Sequence, residues 1–352
     1  MSIALPAQKP LKSVAELVTV GLLPAAAADG LAPVAAQFAI GVSPAMAAIM
    51  RASGEDGPVR RQFIPDRREL TILPSELHDP IGDETHSPLP GLVHRYPDRV
   101  LFKLVSVCPV YCRFCFRREM VGPDGDGAMS EAQIEAAAAY VEARPAIREV
   151  ILTGGDPFML AARRVRQLME RLNGIAHLDV IRWHTRVPVV APERLTAEFV
   201  AAVSGSDKIV VVGVHCNHAD ELGPEAEAAI RLLRRAGVSL VSQTVLLKGI
   251  NDTLPALETL MRAFLRLGIR PYYLHHGDLA KGTSHFRTSL AEGLDLVEAL
   301  RGRLSGLAQP IYVLDLPGGA GKVPVTRALI AEGGARNWTG DWHAYPPAGA
   351  GG

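Results

Sequence analysis

Cys108-Pro-Val-Tyr-Cys112-Arg-Phe-Cys115 follows directly on the apolar run Phe102 to Val107. Three cysteines at x3 and x2 spacing can hold three irons of a 4Fe–4S cluster, whose usual protein ligation takes four. The missing fourth ligand leaves one iron open, and an open metal position is where a substrate or cofactor binds. The competing reading is a structural zinc knot or unrelated buried cysteines. Structural zinc wants four protein ligands, and the chain has one other cysteine, Cys216.

The rest of the composition is ordinary. The chain has 352 residues, 48% hydrophobic and 21% charged, enough for a large core. Lys+Arg and Asp+Glu both number 37, so nothing points to nucleic acid. Four cysteines, three of them clustered, are not a disulfide framework and suit a reducing, cytoplasmic setting. No long uncharged apolar run and no signal-peptide pattern is seen, so no membrane partner is expected.

Residues 1–95 read as a mostly helical and wrapping N-terminal segment. Ser13 to Leu23 and Val34 to Phe38 have helical spacing, broken by Pro24, Pro33 and Pro44. Residues 54–91 are rich in proline, glycine and charge, yet Phe63, Ile64, Leu70 and Leu73 recur, so an ordered wrap is expected. From Val100 onward short apolar runs alternate with helical stretches. Strands are predicted at Leu101–Val107, Glu149–Thr153, Val180–His184, Ile209–His215, Leu240–Leu246, Pro271–His275 and Ile311–Asp315. Helices are predicted at Ser130–Arg144, Ala161–Asn173, Pro192–Ser204, Pro224–Ala236, Leu254–Leu267 and Leu290–Ser305. Ser130 with Gln133 makes a capping box. This alternation means an α/β fold with a parallel sheet: a complete or partial (β/α) barrel over 96–322, or, second, a doubly wound sheet. The tail, 323–352, is Gly- and Pro-rich and expected to fray at its end.

In a (β/α) barrel the active site lies at the C-terminal ends of the strands. The polar residues of this chain fall there, strand after strand: the cysteines, Gly154-Gly155-Asp156, His184-Thr-Arg186, His215-Cys-Asn-His218, Gln243, His275-His-Gly-Asp278 and Asp315. Singly, such a residue is usually a loop residue or helix cap; together they mark one mouth. Lys322 lies in a Gly-rich loop but lacks the serine or threonine of a phosphate loop, since Val323 follows. It reads either as a solvated lysine or as an amine offered to an aldehyde, the usual tether of pyridoxal phosphate.

The cysteine triad resembles that of the radical S-adenosylmethionine enzymes, and the ordered set of segments resembles the lysine 2,3-aminomutase family. The likeness covers about 70% of the chain, from Asp79-Pro-Ile-Gly-Asp83 to Val325. It rests on Tyr96-Pro-Asp-Arg-Val100, the triad with Arg117-Arg118, Leu152-Thr-Gly-Gly-Asp156, Arg186-Val-Pro-Val-Val190, His215-Cys-Asn-His218, Gln243 to Gly249, Arg270-Pro-Tyr-Tyr273, His285-Phe-Arg-Thr288 and Asp315 to Lys322. The resemblance implies a partial (β/α)6-type barrel and three cofactors: a 4Fe–4S cluster on Cys108, Cys112 and Cys115, S-adenosylmethionine, and pyridoxal 5′-phosphate. It implies that Gly154, Gly155, Asp156, His215 and Gln243 face S-adenosylmethionine or its neighbour. Lys322 would tether pyridoxal phosphate as an aldimine, and Arg95, Tyr96 and Arg99 would grip its phosphate. Arg117 would bind the substrate α-carboxylate. Asp278 and Asp315 would pair with the distal ammonium of lysine, an acidic pair that relatives acting on glutamate do not carry. The implied reaction moves the α-amino group of lysine to the β-carbon through a 5′-deoxyadenosyl radical. An electron donor such as flavodoxin or ferredoxin would be a partner, and a homo-oligomer stays open.

Two departures stand out. The family's longer members carry a C-terminal cysteine segment that builds an inter-subunit zinc site, so no zinc is expected here. At His275 the family usually has tyrosine. Alternatives are an aminomutase with another amino acid, an elongation-factor-P-type lysine mutase, or a non-catalytic iron–sulfur electron carrier. The last has no use for Lys322 and the acidic pair.

Overall fold

The computed structural model describes residues 9–121 and 127–347. Its centre is a nine-stranded sheet ordered as the chain runs: β1 (Leu92–Tyr96), β2 (Arg99–Val105), β3 (Glu149–Gly154), β4 (Val180–Thr185), β5 (Ile209–His215), β6 (Ser239–Val245), β7 (Arg270–His275), β8 (Ile311–Leu316) and β9 (Gly321–Pro324). β2 to β8 are parallel and coincide with the seven predicted strands to within two residues. β1 and β9 run antiparallel along the edges. The order never reverses, so the switch point of a doubly wound sheet is missing. The sheet instead curls into a partial (β/α) barrel.

Four helices precede it: α1 (Val14–Thr19), α2 (Ala28–Gln37), α3 (Pro44–Ser53) and α4 (Pro58–Phe63). Pro33, expected to break a helix, lies inside α2; Leu31 and Val34 bury beside it and hold the turn that lacks one backbone donor. The crossovers carry α5 (Glu131–Glu142), α6 (Ala162–Asn173), α7 (Val187–Val190) with α8 (Ala197–Ser204), α9 (Pro224–Arg235), α10 (Leu254–Leu267) and α11 (Leu290–Arg301). Ser130 and Gln133 form the expected capping box at α5. α10 shows why these helices form: Leu257, Leu260, Met261, Phe264 and Leu267 recur at helical spacing and are all buried.

Strand register decides which side chains share the lumen. Lys103 pairs with Thr153, His184 with Gly213, His215 with Gln243, His275 with Val313 and Asp315 with Lys322, all on one face. The opposite face carries Ile181, Trp183, Val212, Val214, Leu240 and Leu274, which are buried.

The edges meet without a ladder. The Lys322 amide donates to Tyr96 Oη across the seam at 2.7 Å. The turn at Gly82 packs on Gly318 and Gly319 so closely that a Cβ at Gly82 would collide with that backbone. Gly82, Gly318 and Gly319 all have positive φ, which glycine alone adopts readily. The sheet thus starts at Leu92, inside the expected N-terminal segment, and β9 crosses the boundary expected at 322/323. Beyond it lie α12 (Arg327–Glu332) and a hairpin of β10 (Gly334–Arg336) and β11 (Trp342–Ala344). Residues 348–352, where fraying was expected, lie outside the described residues. Among the described residues no helix is long and apolar enough to cross a membrane.

Residues 62–83 wrap the mouth and insert four buried polar side chains into it. Gln62 accepts from Arg186, Glu69 holds Arg113 and Arg118, Glu76 holds Arg287, and Asp83 holds Arg117 and Arg95. Glu69 and both of its arginine partners have no exposed side-chain surface. A buried pair that loses one partner leaves an uncompensated charge, at a cost of about 3–5 kcal/mol. Glu69→Gln is therefore expected to lower the urea unfolding midpoint by a loss of that size. A midpoint equal to wild type would show that the wrap does not depend on this pair.

Candidate active site

The cysteine loop leaves β2 at Val105 and turns back under α4. Gly155 N donates to the Val105 carbonyl at 2.5 Å and Asp156 N to that of Val107 at 2.9 Å. A Cβ at Gly154 or Gly155 would collide with those carbonyls. The close approach these glycines allow is thus to the strand that delivers Cys108. The buried Asp156 carboxylate accepts from Thr185 Oγ1 (2.6 Å) and from the amides of Phe158, Arg186 and Val187. It ties the end of β3 to the end of β4.

Arg186 is the consequence. Its Nη1 donates to Cys112 Sγ at 2.8 Å, and its Nη2 donates to Glu221 and Gln62, each at 2.7 Å. Burial pushes the Cys115 thiol up to about 12, with the neighbouring Cys112 adding to it. Cys108 is driven up by burial and by the other two sulfurs. The three cysteines share one short loop, in which Cys115 N donates to the Cys112 carbonyl at 3.0 Å. Among the described residues no three His, Cys, Asp or Glu side chains converge tightly enough for a single metal ion. A cubane asks for something else, one thiolate on each of three irons, and this donor set fits it.

Across the lumen Gln243 bridges two histidines. His275 Nε2 lies 2.6 Å from Gln243 Oε1, and Gln243 Nε2 lies 3.4 Å from His184 Nε2. Gly213 makes that bridge feasible, since a Cβ there would sit 3.0 Å from His184 and 3.2 Å from Gln243. His215 is next to them, and its Nε2 is buried with no hydrogen-bond partner. A buried polar atom left unpaired in the protein alone is what a site for a polar ligand presents.

Lys322 Nζ donates to both oxygens of Asp315, at 2.6 and 2.7 Å. Burial works to raise Asp315, but the Lys322 ammonium and His275 hold it well below the usual carboxylate range. Asp278 forms no ion pair among the described residues, and burial with the nearby Asp315 charge pushes it up to about 8. Arg117 also acts on Asp278, and equally on Cys108 and Cys115. It lies two residues past Cys115. Its Nε and Nη2 are held by Asp83 at 3.1 and 2.8 Å, while Nη1 has only a long 3.4 Å contact with Thr153. Tyr96 accepts from the Lys322 amide, and the Arg99 guanidinium lies 3.8 Å over the Tyr96 ring. Arg95 faces away from this corner, toward the Ile81 carbonyl and Asp83, with Nε buried and unpartnered. Lysine, tyrosine and Arg99 in one corner suit a phosphate-bearing aldehyde.

Residues 102–257 match the radical SAM superfamily. An L-lysine 2,3-aminomutase of Fusobacterium nucleatum is 41% identical over 76% of this chain and 63% of its own length. One of Acetoanaerobium sticklandii is 39% identical over 81% and 68% respectively. A glutamate 2,3-aminomutase of Clostridioides difficile is 34% identical over 87% and 73%. The chain belongs to the lysine 2,3-aminomutase family. It spans about two thirds of the length of the first two relatives. Among solved structures, an anSMEcpe complex with AdoMet and a peptide covers 59% of both chains at 14% identity and a TM-score of 0.46.

Reading this member of the family from sequence missed several residues that build the mouth. Asp83, Glu69, Glu76, Gln62 and Glu221 hold the arginines; Arg186 was placed at the mouth from sequence, but not its contact with Cys112. Acid recurring within an apolar wrap marks a segment but not the partners of its side chains. Arg186→Met leaves Glu221 buried without its cation, so a stability loss of about 3–5 kcal/mol is expected. Less iron and sulfide per chain after reconstitution should accompany it. Iron content equal to wild type would remove Arg186 from the support of the cluster.

Proposed function

We propose that the chain is a radical S-adenosylmethionine aminomutase that converts lysine to β-lysine, with pyridoxal phosphate held on Lys322. The observation that carries this reading is the lumen face, where Lys322 Nζ is held by Asp315 and Arg117, two residues past Cys115, reaches Thr153 on the same face. Membership in a family whose similar relatives include lysine 2,3-aminomutases supports it. When bound, the cluster and S-adenosylmethionine supply a carbon radical, and pyridoxal phosphate supplies an aldehyde and the π system that lets nitrogen migrate.

The chain's own residues do the rest. Cys108, Cys112 and Cys115 would hold the cluster, with His215, Gln243 and the Gly154-Gly155-Asp156 turn around S-adenosylmethionine. Tyr96 and Arg99 would take the phosphate, with Arg95 behind them. Arg117 would offer Nη1 to the α-carboxylate, oriented by Asp83. Asp278 and Asp315 would receive the distal ammonium. Lys322 must leave Asp315 before it can tether an aldehyde, which vacates that carboxylate for the substrate cation. The lumen keeps bulk water from the radical. The barrel, about 96–322, is the proposed catalytic unit, and residues 1–95 are its cover.

Anaerobic incubation of reconstituted protein with lysine, S-adenosylmethionine and dithionite should yield β-lysine on chromatography, and Lys322→Ala should yield none. Full activity in that variant would end the tether assignment. With glutamate in place of lysine, no product is expected.

Asp278 adds a pH signature. Raised to about 8, it is mostly protonated at pH 7 and ionised above its shifted value. A cation seated against it displaces that proton, so lysine should bind with proton release at pH 7 and more tightly as pH rises toward 9. Calorimetry in buffers of different ionisation heat reads this directly. Release that persists undiminished in Asp278→Asn would assign the proton elsewhere.

A further inference from the structure

Lys322 faces a difficulty in the arrangement just described. Its ammonium is clamped by Asp315, and an ammonium has no lone pair to attack an aldehyde. The proton must go somewhere within reach. Asp315 is a poor resting place, because the Lys322 ammonium holds it below the usual carboxylate range. His275 is better placed. Its Nε2 is 2.6 Å from Gln243 Oε1, an acceptor, so the imidazole carries hydrogen on Nε2. That leaves Nδ1 as the titrating atom, and it lies 3.5 Å from Asp315 Oδ2. A bare Nδ1 lone pair facing a carboxylate is unfavourable, and protonation turns the same contact into an ion pair.

We infer that His275 is the positioning base that takes the Lys322 proton by way of Asp315 and then serves as the carboxylate's counter-charge until the substrate ammonium arrives. The balance is simple. The Nζ–H bond breaks, an Nδ1–H bond forms, and net charge is unchanged while Lys322 becomes a neutral amine. This inference rests on the tether reading above.

The groups facing His275 favour a conditional proton. From β8 comes Asp315, from β9 Lys322, from β6 the neutral Gln243, from β4 His184, from β5 His215, and from its own strand Tyr273. Burial lowers His275, Asp315 opposes it, and the Lys322 cation lowers it further. Lys322 and His275 thus compete for one carboxylate. Removing the lysine charge takes away a repulsion and leaves the attraction.

The test is pH-dependent capture of pyridoxal 5′-phosphate by cluster-reconstituted protein. Capture is followed by absorbance, trapped with borohydride and located on Lys322 by mass spectrometry. Wild type should capture down to neutral pH. In His275→Gln the profile should move up by about one pH unit, a tenfold slower capture at pH 7 that recovers at high pH. Gln243→Glu places a carboxylate on Nε2 and should move the profile the other way. Circular dichroism and the cluster spectrum check the folding of both variants. Superimposable profiles, or an equal slowing at every pH, would overturn the role of His275. If wild type traps nothing on Lys322 at any pH, the tether reading itself fails and takes the inference with it.

Discussion

Arginine cannot shed its charge, so each buried guanidinium in this mouth must be met by a carboxylate or a well-placed acceptor. Arg113, Arg117 and Arg118 lie in or beside the cysteine loop, Arg186 reaches Cys112, and Arg287 sits at the Asp278 carbonyl. Glu69, Asp83, Glu76, Gln62 and Glu221 meet them. Four of those five partners come from one proline-rich stretch outside the parallel barrel. The barrel alone would present several unpaired buried cations. The wrap is therefore part of the mouth, and its order and the order of the cysteine loop depend on the same ion pairs.

This dependence explains what could and could not be read from the chain. Parallel strands covered on both faces appear as short apolar runs, and the crossover helices carry a periodicity near 3.6, so barrel elements were legible. The triad, Lys322 and the strand-end histidines were legible because their residue types are unusual at such places. The acids of the wrap were not. Asp83 and Arg117 are 34 residues apart, and Glu76 and Arg287 are 211 apart. Local pattern holds no trace of such pairings. Pro33 was misread for the opposite reason: a local rule was outweighed by burial of Leu31 and Val34 on the same turn.

Register carries the remaining specificity. Once Glu149 pairs with Val180 and Val180 with Ile209, strand periodicity sends His184, Gly213, His215, Gln243, His275, Asp315 and Lys322 to one face. A one-residue slip in any strand would send its polar residues into the helix layer. The apolar face, with Trp183, Val212, Val214 and Leu274 buried, penalises that slip heavily. The hydrophobic layer thus sets the chemistry of the lumen without touching it.

Charge balance then speaks to the choice between a distal ammonium and a distal carboxylate. Asp83 is committed to Arg117 and Arg95, and its charge is spent. On the proposed tether reading, once Lys322 turned to an aldehyde, Asp315 would stand beside Asp278 with the protonated His275 as its counter-charge. A unit charge 4 Å from Asp315 interacts by about 4 kcal/mol at an effective dielectric of about 20, attractive for an ammonium and repulsive for a carboxylate. Asp278 blunts the contrast while it keeps its proton, and a cation beside it favours the ionised form. On that reading the pocket would gain attraction from a distal ammonium and offer no such adjustment to an anion.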